Sequence, residues 1–355
     1  MADSLPEADE LEVSLFGPGY GEAIAMHIGD GQWMVVDSCW LDRTRSAAVT
    51  AKYLEDLGVA DDQVRHVIAS HWHDDHVGGI ASLIRRYKKA EFHFPSFLSA
   101  DEGQEFLSAF SGKANPDADG TKELFDAIVE VRASGRHFNP LHFRTIVTEE
   151  EFSFGKMQVV AMSPSGNAWA AAMASVQSRV NPGTVPKTAP QPAINLSSVV
   201  VHVEYSFETI LLGSDLEAHE SLGWKEIVSH PWTQRRSKAS LYKVAHHGSP
   251  TACIPEIWST LVAADAETAL TPFINGRVRL PSEGDVKRIK TYALRLRSTA
   301  PVGRQEPKST LAERQLVSFL KHATGRGKKM GHLQYRKKKG QASWSCKMNG
   351  AAIVL

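Results

Sequence analysis

Apolar and polar residues alternate from Leu11 to Phe16, the two-residue period of a strand. The glycine-rich turn Gly17-Pro18-Gly19-Tyr20-Gly21 follows. Ala23 to Ile28 and Trp33 to Val36 read as two more strands, separated by the hairpin signal Gly29-Asp30-Gly31. The period then changes. Between Ser46 and Leu57 the apolar residues Ala48, Val49, Tyr53, Leu54 and Leu57 share one helical face, and Gly58 ends the helix. Val64 to Ala69 is a short apolar run expected to be a buried strand, and Gly78-Gly79 opens a helix over Ile80 to Lys88. Phe92 to Pro140 has a helical stretch at Lys122 to Ala133 but little other periodicity, and reads as an insertion on the core. Phe143 to Val147, Glu151 to Phe154 and Met157 to Met162 return to a strand pattern. Asn181 to Pro192, rich in Pro, Thr and Gly, reads as a loop. Ser197 to Tyr205 with Thr209 to Leu212 predicts a hairpin, and Leu241 to Ala245 another strand. Leu311 to His322 is expected to be a helix and Gly331 to Leu355 a closing hairpin. Strands dominate both halves and helices punctuate them, which is an α+β pattern with two sheets, expected as a single domain over residues 11–355.

The 355 residues, 42% hydrophobic, suffice for one large layered domain or two modest ones. Met1 to Glu12 is acidic and has no apolar segment of the kind a secretory leader needs. No run approaches the roughly 18 apolar residues of a membrane span. Cys39, Cys253 and Cys346 are too scattered for a disulfide framework or a cysteine zinc site, so a reducing cytoplasm is the expected compartment. The net charge of zero hides an asymmetry: residues 285–355 hold 17 lysines and arginines against three acidic residues. Such a basic region suits a polyanion such as nucleic acid, and equally suits a solvated face that balances an acidic body.

The densest chemistry lies at His71-Trp72-His73-Asp74-Asp75-His76, immediately after an apolar strand. Histidines at i and i+2 on an extended loop can turn two imidazoles towards one ion, and Asp75 with His76 can serve a second. Imidazole and carboxylate suit zinc first, with manganese or iron as alternatives. A polar surface loop is the bland alternative, and three other strand ends weigh against it. Asp215 follows Leu211-Leu212-Gly213-Ser214 and can bridge two ions, His246-His247-Gly248-Ser249 follows Leu241 to Ala245, and Asp37 follows Met34-Val35-Val36.

His71-Trp72-His73-Asp74-Asp75-His76-Val77-Gly78-Gly79 resembles the HxHxDHxGG signature of the metallo-β-lactamase superfamily. Gly17 to Ala23, Val36-Asp37-Ser38, Asn195 to Val200, Gly213 to Glu217 and His246 to Ser249 extend the likeness, in that order, to its ComEC-type branch of nuclease-like and phosphorylcholine esterase-like proteins. The resemblance covers about Leu11 to Pro281 without the Phe92 to Pro140 stretch. It implies an αββα sandwich of two mostly antiparallel sheets with outer helices, holding one or two divalent ions at an edge. It also implies His71 and His73 on one metal, Asp75 and His76 on the other, Asp215 between them, and one histidine of the His246/His247 pair, His247 being the preferred choice, completing the second.

Two departures stand out. The superfamily usually supplies a mid-chain histidine to the first metal, whereas Val159 to Asn167 has none; His137 and His142 are the nearby substitutes. ComEC-type chains tend to carry His-Pro after the His-His-Gly-Ser motif, where this chain has Leu280-Pro281. Asn275 and Arg277, just before it, and Ser249 are candidate substrate contacts.

The expected chemistry is metal-assisted hydrolysis, in which a water loses its proton near neutral pH because the cations stabilise hydroxide. Asp75, His246 and Asp74 are the candidate catalytic side chains: His246 as an acid or phosphate contact, Asp74 as a proton relay or a helix cap. Three functions follow. The first is a phosphodiesterase or nuclease, the second a hydrolase of small esters, lactones or thioesters, and the third a binding module with a degenerate site.

Overall fold

The computed structural model describes residues 4–18, 21–42, 44–111, 118–177, 195–275, 278–302 and 330–355. The early strands are β1 (Glu10–Gly17), β2 (Ala23–Gly29), β3 (Gln32–Val36), β4 (Val64–Ile68), β5 (Glu91–Pro95) and β6 (Phe138–Leu141). Next come β7 (Ile146–Phe152), β8 (Gly155–Ala161), β9 (Val201–Tyr205), β10 (Thr209–Leu212), the short β11 (Ala218–His219), β12 (Ala239–Lys243) and β13 (Val262–Leu270). The last are the small pair β14 (Phe273–Asn275) and β15 (Val278–Leu280), then β16 (Arg295–Ser298), β17 (Gly331–Lys338), β18 (Ser345–Asn349) and β19 (Ile353–Val354).

Two eight-stranded sheets result, ordered β18-β17-β1-β2-β3-β4-β5-β6 and β19-β16-β13-β12-β10-β9-β8-β7. Each contains a parallel block: β3-β4-β5-β6 in the first sheet and β10-β12-β13-β16 in the second. The remaining pairings are antiparallel. Parallel strands carry their C-terminal ends to the same edge, so loops distant in sequence meet there. That edge is where the candidate chemistry gathers.

Burial explains the layering. Along β2, Ala23 and Ala25 face one apolar cluster while Ile24, Met26 and Ile28 face another, so the two-residue period serves two cores at once. Trp33 and Val35 on β3 divide from Met34 and Val36 in the same way. The first cluster lies between sheet one and the helices Val49–Leu57, Ile80–Arg86, Asp101–Ser111, Ala118–Ala133 and Gly166–Gln177. The second fills the space between the sheets. The third lies between sheet two and the helices Gly223–Ser229, Pro255–Leu261 and Glu283–Ile289. These are the four layers of an αββα sandwich. Each fully buried Leu, Ile or Met stabilises it by about 1.5–3 kcal/mol. Helix Val49–Leu57 stops where expected: Gly58 takes φ +79°, and its N–H reaches the carbonyls of Leu54 and Glu55.

Several expectations shift in detail. Residues 143–147 and 151–154, read as two strands, contribute to the one strand β7. The stretch read as an insertion at 92–140 starts and finishes in β5 and β6, at the rim of sheet one, with two helices between. The loop at 181–192 and the helix at 311–322 lie outside the described residues. Cys39, Cys253 and Cys346 are free thiols. Among the described residues, no helix is long and apolar enough to cross a membrane.

Candidate metal centre

Four strand ends deliver the site: Asp37 after β3, Ser70 to His76 after β4, Ser214-Asp215 after β10, and His246-His247 after β12. The backbone there is unusual. Asp37, Ser214, His246 and His247 all take left-handed conformations, with φ of 59°, 45°, 46° and 51°. Such conformations cost non-glycine residues of order 1–3 kcal/mol each and are tolerated where surrounding structure holds them. Gly21 shows how tightly the loops pack: at φ +137°, a Cβ there would stand 2.1 Å from the Asp75 carbonyl oxygen, to which the Glu22 N–H donates at 2.7 Å. Trp72 anchors the histidine loop from behind, edge-on to Phe97 and Phe106.

His71 Nε2 lies 3.0 Å from His73 Nδ1. His76 Nε2 is 3.4 Å from Asp215 Oδ1 and 3.7 Å from Asp75 Oδ2. His247 Nε2 is 3.3 Å from Asp75 Oδ2 and 3.4 Å from Asp215 Oδ2. Asp215 thus turns one oxygen to each of two imidazoles. Among the described residues, three sets of donor atoms at this centre are close enough to share an ion: His71 with His76 and Asp215, Asp75 with His76 and His247, and Glu22 with Asp37 and His76.

Their outward nitrogens are held from behind. Asp37 Oδ2 stands 2.7 Å from His76 Nδ1, while its carboxylate accepts from the N–H and hydroxyl of Ser70. His247 Nδ1 meets the Thr271 carbonyl at 2.9 Å. Each contact fixes a ring with Nε2 facing the cluster, the usual support of a metal-ligating imidazole. Asp37→Asn should therefore weaken metal affinity and turnover about 10- to 100-fold. Metal titration and kcat would register this, and unchanged values would mean that Asp37 does not orient His76 for binding.

The donor chemistry fits a divalent cation. His73 Nε2, His76 Nε2, His247 Nε2 and Asp215 Oδ1 are buried without hydrogen-bond partners. Four carboxylates, Glu22, Asp37, Asp75 and Asp215, crowd the centre, and Lys243 pairs with Glu22 at 2.6 Å. The surplus negative charge must be met by protons or by cations. Burial disfavours charged His76, but Asp215, Asp75 and Asp37 together outweigh it and hold its pKa well above the ordinary value. Burial is likewise outweighed at His247, which Asp215 and Asp75 push up to about 10. Burial dominates at His71 and His73 and lowers both, leaving neutral rings with lone pairs to donate.

The remaining sequence candidates fall at different places. Asp74 is exposed, is the first residue of the short helix Asp74–Val77, and lies against Gly120. His246 stands beside the cluster with Nδ1 3.0 Å from Glu217 Oε1, and Asn195 Nδ2 lies 3.3 Å from its Nε2. Ser249 Oγ joins Thr251 Oγ1 at 2.9 Å, which in turn lies 3.4 Å from His246 Nδ1. Asn275 sits at the end of β14, and Arg277 lies outside the described residues. The mid-chain stretch without a histidine uses Ser163 differently: its hydroxyl donates to the Ser198 carbonyl and accepts from the Val200 N–H. His137 is exposed, and His142 bonds to Thr145, so neither joins the cluster. Glu22, Lys243, Glu217 and Asn195 surround the site without having been singled out as site residues. A lysine inside the apolar run Leu241 to Ala245 was the readable signal for one of them.

Residues 17–163 match the family model described as the Metallo-beta-lactamase superfamily. That segment, less than half of the chain, is similar to the superfamily. Members of this superfamily are mainly metal-dependent hydrolases. The matched segment includes Asp37 and the run His71 to His76; Asp215, His246 and His247 join it through geometry. No curated protein sequence matches the chain. Among solved structures, a Cronobacter sakazakii metallo-β-lactamase with a HARLDQ motif is similar at 15% identity and TM-score 0.31, over 58% of this chain. That match spans 60% of the Cronobacter chain, less than two thirds of its length. MEM-A1, a subclass B3 metallo-β-lactamase from a soil metagenome library, is similar at 12% identity and TM-score 0.36, over 70% of this chain and 83% of its own.

Proposed function

We propose that this chain is a metal-dependent hydrolase whose substrate is a phosphodiester, in nucleic acid or a nucleotide. The hydrolase reading is carried by the surplus of buried carboxylates beside imidazole nitrogens that lack hydrogen-bond partners. In this reading His71 and His73 hold one ion, Asp75, His76 and His247 hold another, and Asp215 lies between them. Zinc is the first choice for both, with manganese or iron as alternatives. Divalent ions there would supply hydroxide near neutral pH and a counter-charge for the developing oxyanion. His246, braced by Glu217 and Asn195, is positioned to hold or move a proton at the leaving oxygen. The hydrogen-bonding groups of Asn195, Ser249 and Thr251 around it suit a substrate with several oxygens. The phosphodiester class rests on these groups together with the ComEC-type likeness of Asn195 to Val200 and His246 to Ser249.

One observation favours a second reading, a small ester, lactone or thioester as substrate. Several basic side chains that sequence would offer to a polyanion are committed to ion pairs. Lys337 pairs with Glu208, Lys338 with Glu7, Arg336 with Glu12, and both Arg295 and Arg297 with Glu267. Lys337 is in addition only 7% exposed.

The test compares turnover of bis(p-nitrophenyl) phosphate, a simple carboxylic ester and a lactone, with metal content measured on the same sample. The expected result is phosphodiester cleavage with one or two ions per chain, and nucleic-acid binding that weakens steeply with salt. Ester or lactone cleavage alone would favour the second reading. No turnover, with less than one ion per chain, would leave a binding module with a degenerate site.

A further inference from the structure

A second cluster of donors lies away from the strand-end site, on the inner face of sheet one. In the register of the parallel pair β4 and β5, His66 stands opposite Glu91 and Ile68 opposite His93. The period of two places Glu91 and His93 on one face of β5, and His66 on β4 reaches the same face. His66 Nδ1 is 3.2 Å from His93 Nε2; Glu91 Oε2 is 3.7 Å from that His93 nitrogen and 4.0 Å from the His66 one. Ligands bound at about 2.0–2.1 Å around a tetrahedral zinc stand roughly 3.3 Å apart, so these donors need only a small inward movement.

The surroundings match that use. The other ring nitrogen of His66, Nε2, lies 3.3 Å from Glu150 Oε1 on β7 of the opposite sheet. Thr148 Oγ1 donates to the same carboxylate oxygen at 2.9 Å. A carboxylate behind one imidazole nitrogen fixes the tautomer that offers the other to a metal. Asn139 Nδ2 holds Glu91 Oε2 at 2.9 Å. The two rings are 4% and 1% exposed, while the Glu91 side chain is 57% exposed, so an ion has a route in from solvent. Burial, with His66 beside it, lowers His93 to about 3, which keeps its ring neutral and able to donate a lone pair.

We propose that His66, His93 and Glu91 form a separate binding site for one divalent cation of the zinc type, with Glu150 orienting His66. A fourth position remains for water. His66 lies within β4, before the strand end that carries His71 to His76, and the cluster shares no donor with the strand-end sets, so the site is distinct from that centre. Its ion would tie β4 and β5 to β7, and hence one sheet to the other, as a structural clip. The proposal does not depend on the substrate or activity assigned to the strand-end centre.

Zinc per chain decides it, measured by elemental analysis and native mass spectrometry on protein produced with zinc and dialysed against metal-free buffer. Glu91→Gln and His66→Gln are each expected to hold one zinc fewer than the wild type. Turnover by Glu91→Gln should equal that of the wild type, and its zinc-dependent gain in Tm should be smaller. His66 is buried, so its variant could misfold; Glu91 is exposed, and its variant then decides the question alone. A wild-type zinc count in the folded variants would overturn the proposal, leaving the two rings in a plain hydrogen bond.

Discussion

Asp215→Asn is expected to lower turnover by roughly a thousandfold or more, about 4 kcal/mol in transition-state stabilisation, without unfolding the chain. Asp215 is 2% exposed at the end of β10, with one oxygen towards His76 and the other towards His247. Asparagine keeps the shape but replaces one acceptor oxygen by an NH2 donor and removes a negative charge from the centre. Either change works against a shared cation. Metal content should fall below that of the wild type, while circular dichroism and the cooperativity of unfolding stay unchanged. The metal-free variant carries a further signature. Asp215 is the largest influence holding the pKa of His76 and His247 up against burial, so both rings should titrate at lower pH than in metal-free wild type. Imidazole NMR signals would follow this directly. Undiminished turnover by a purified, folded Asp215→Asn protein would remove Asp215 from the reaction and with it the proposed two-ion arrangement.

Much of this centre was legible in the sequence because strand ends announce themselves. An apolar run followed at once by Asp or His is visible without coordinates, and four such runs delivered Asp37, His71 to His76, Asp215 and His246-His247. The parallel blocks were harder to see. β13 has the sequence Val-Ala-Ala-Asp-Ala-Glu-Thr-Ala-Leu, rich in alanine and with two acidic residues, and its propensity argues against a strand. Pairing with β12 and β16 on both sides overrides that propensity, and the buried Glu267 has Arg295 and Arg297 within reach. β6, Phe-Asn-Pro-Leu, hides for a related reason: Pro140 is tolerable only because β6 is the rim strand of its sheet. The helices Asp101–Ser111 and Gly166–Gln177 carry weak stripes whose apolar partners come from distant sequence.

Charge pairing was the least legible level. Counting lysines and arginines near the C-terminus gives an excess, but the count says nothing of partners. Arg336 lies on β17 beside β1, where Glu12 Oε2 accepts from it at 2.8 Å, and Tyr53 and Ser14 share the other oxygen of Glu12. Alternation along β1 marks Glu12 and Ser14 as polar. The helix Val49–Leu57 and strand β17 then bury both positions, so a period-two pattern here separates an apolar core from a polar one.

The same blindness to partners concealed Lys243, whose removal should have the largest effect on stability. Its ammonium is 3% exposed, lies 2.6 Å from Glu22 Oε1, and donates to the Ser214 carbonyl at 3.4 Å. Burial alone would lower its pKa, yet Glu22 and Asp215 outweigh burial and raise it. Lys243→Met preserves the length of the side chain and removes the nearest counter-charge of buried Glu22, leaving His247 Nδ1 at 4.0 Å as its remaining basic neighbour. Breaking a buried pair in this way costs about 3–5 kcal/mol, and a fall in Tm on the order of 10 °C should follow. The loss should be greater in metal-free protein, because bound cations offset part of the same negative charge. Glu22→Gln combined with Lys243→Met removes both charges and should recover much of the stability, giving a coupling energy of about 2 kcal/mol or more in a double-mutant cycle. Denaturant titration of the four proteins with and without metal measures each quantity. A Lys243→Met protein within about 1 kcal/mol of wild type would mean that the Lys243–Glu22 pair contributes little to stability and that Glu22 is balanced by its other neighbours, His247 at 4.0 Å among them.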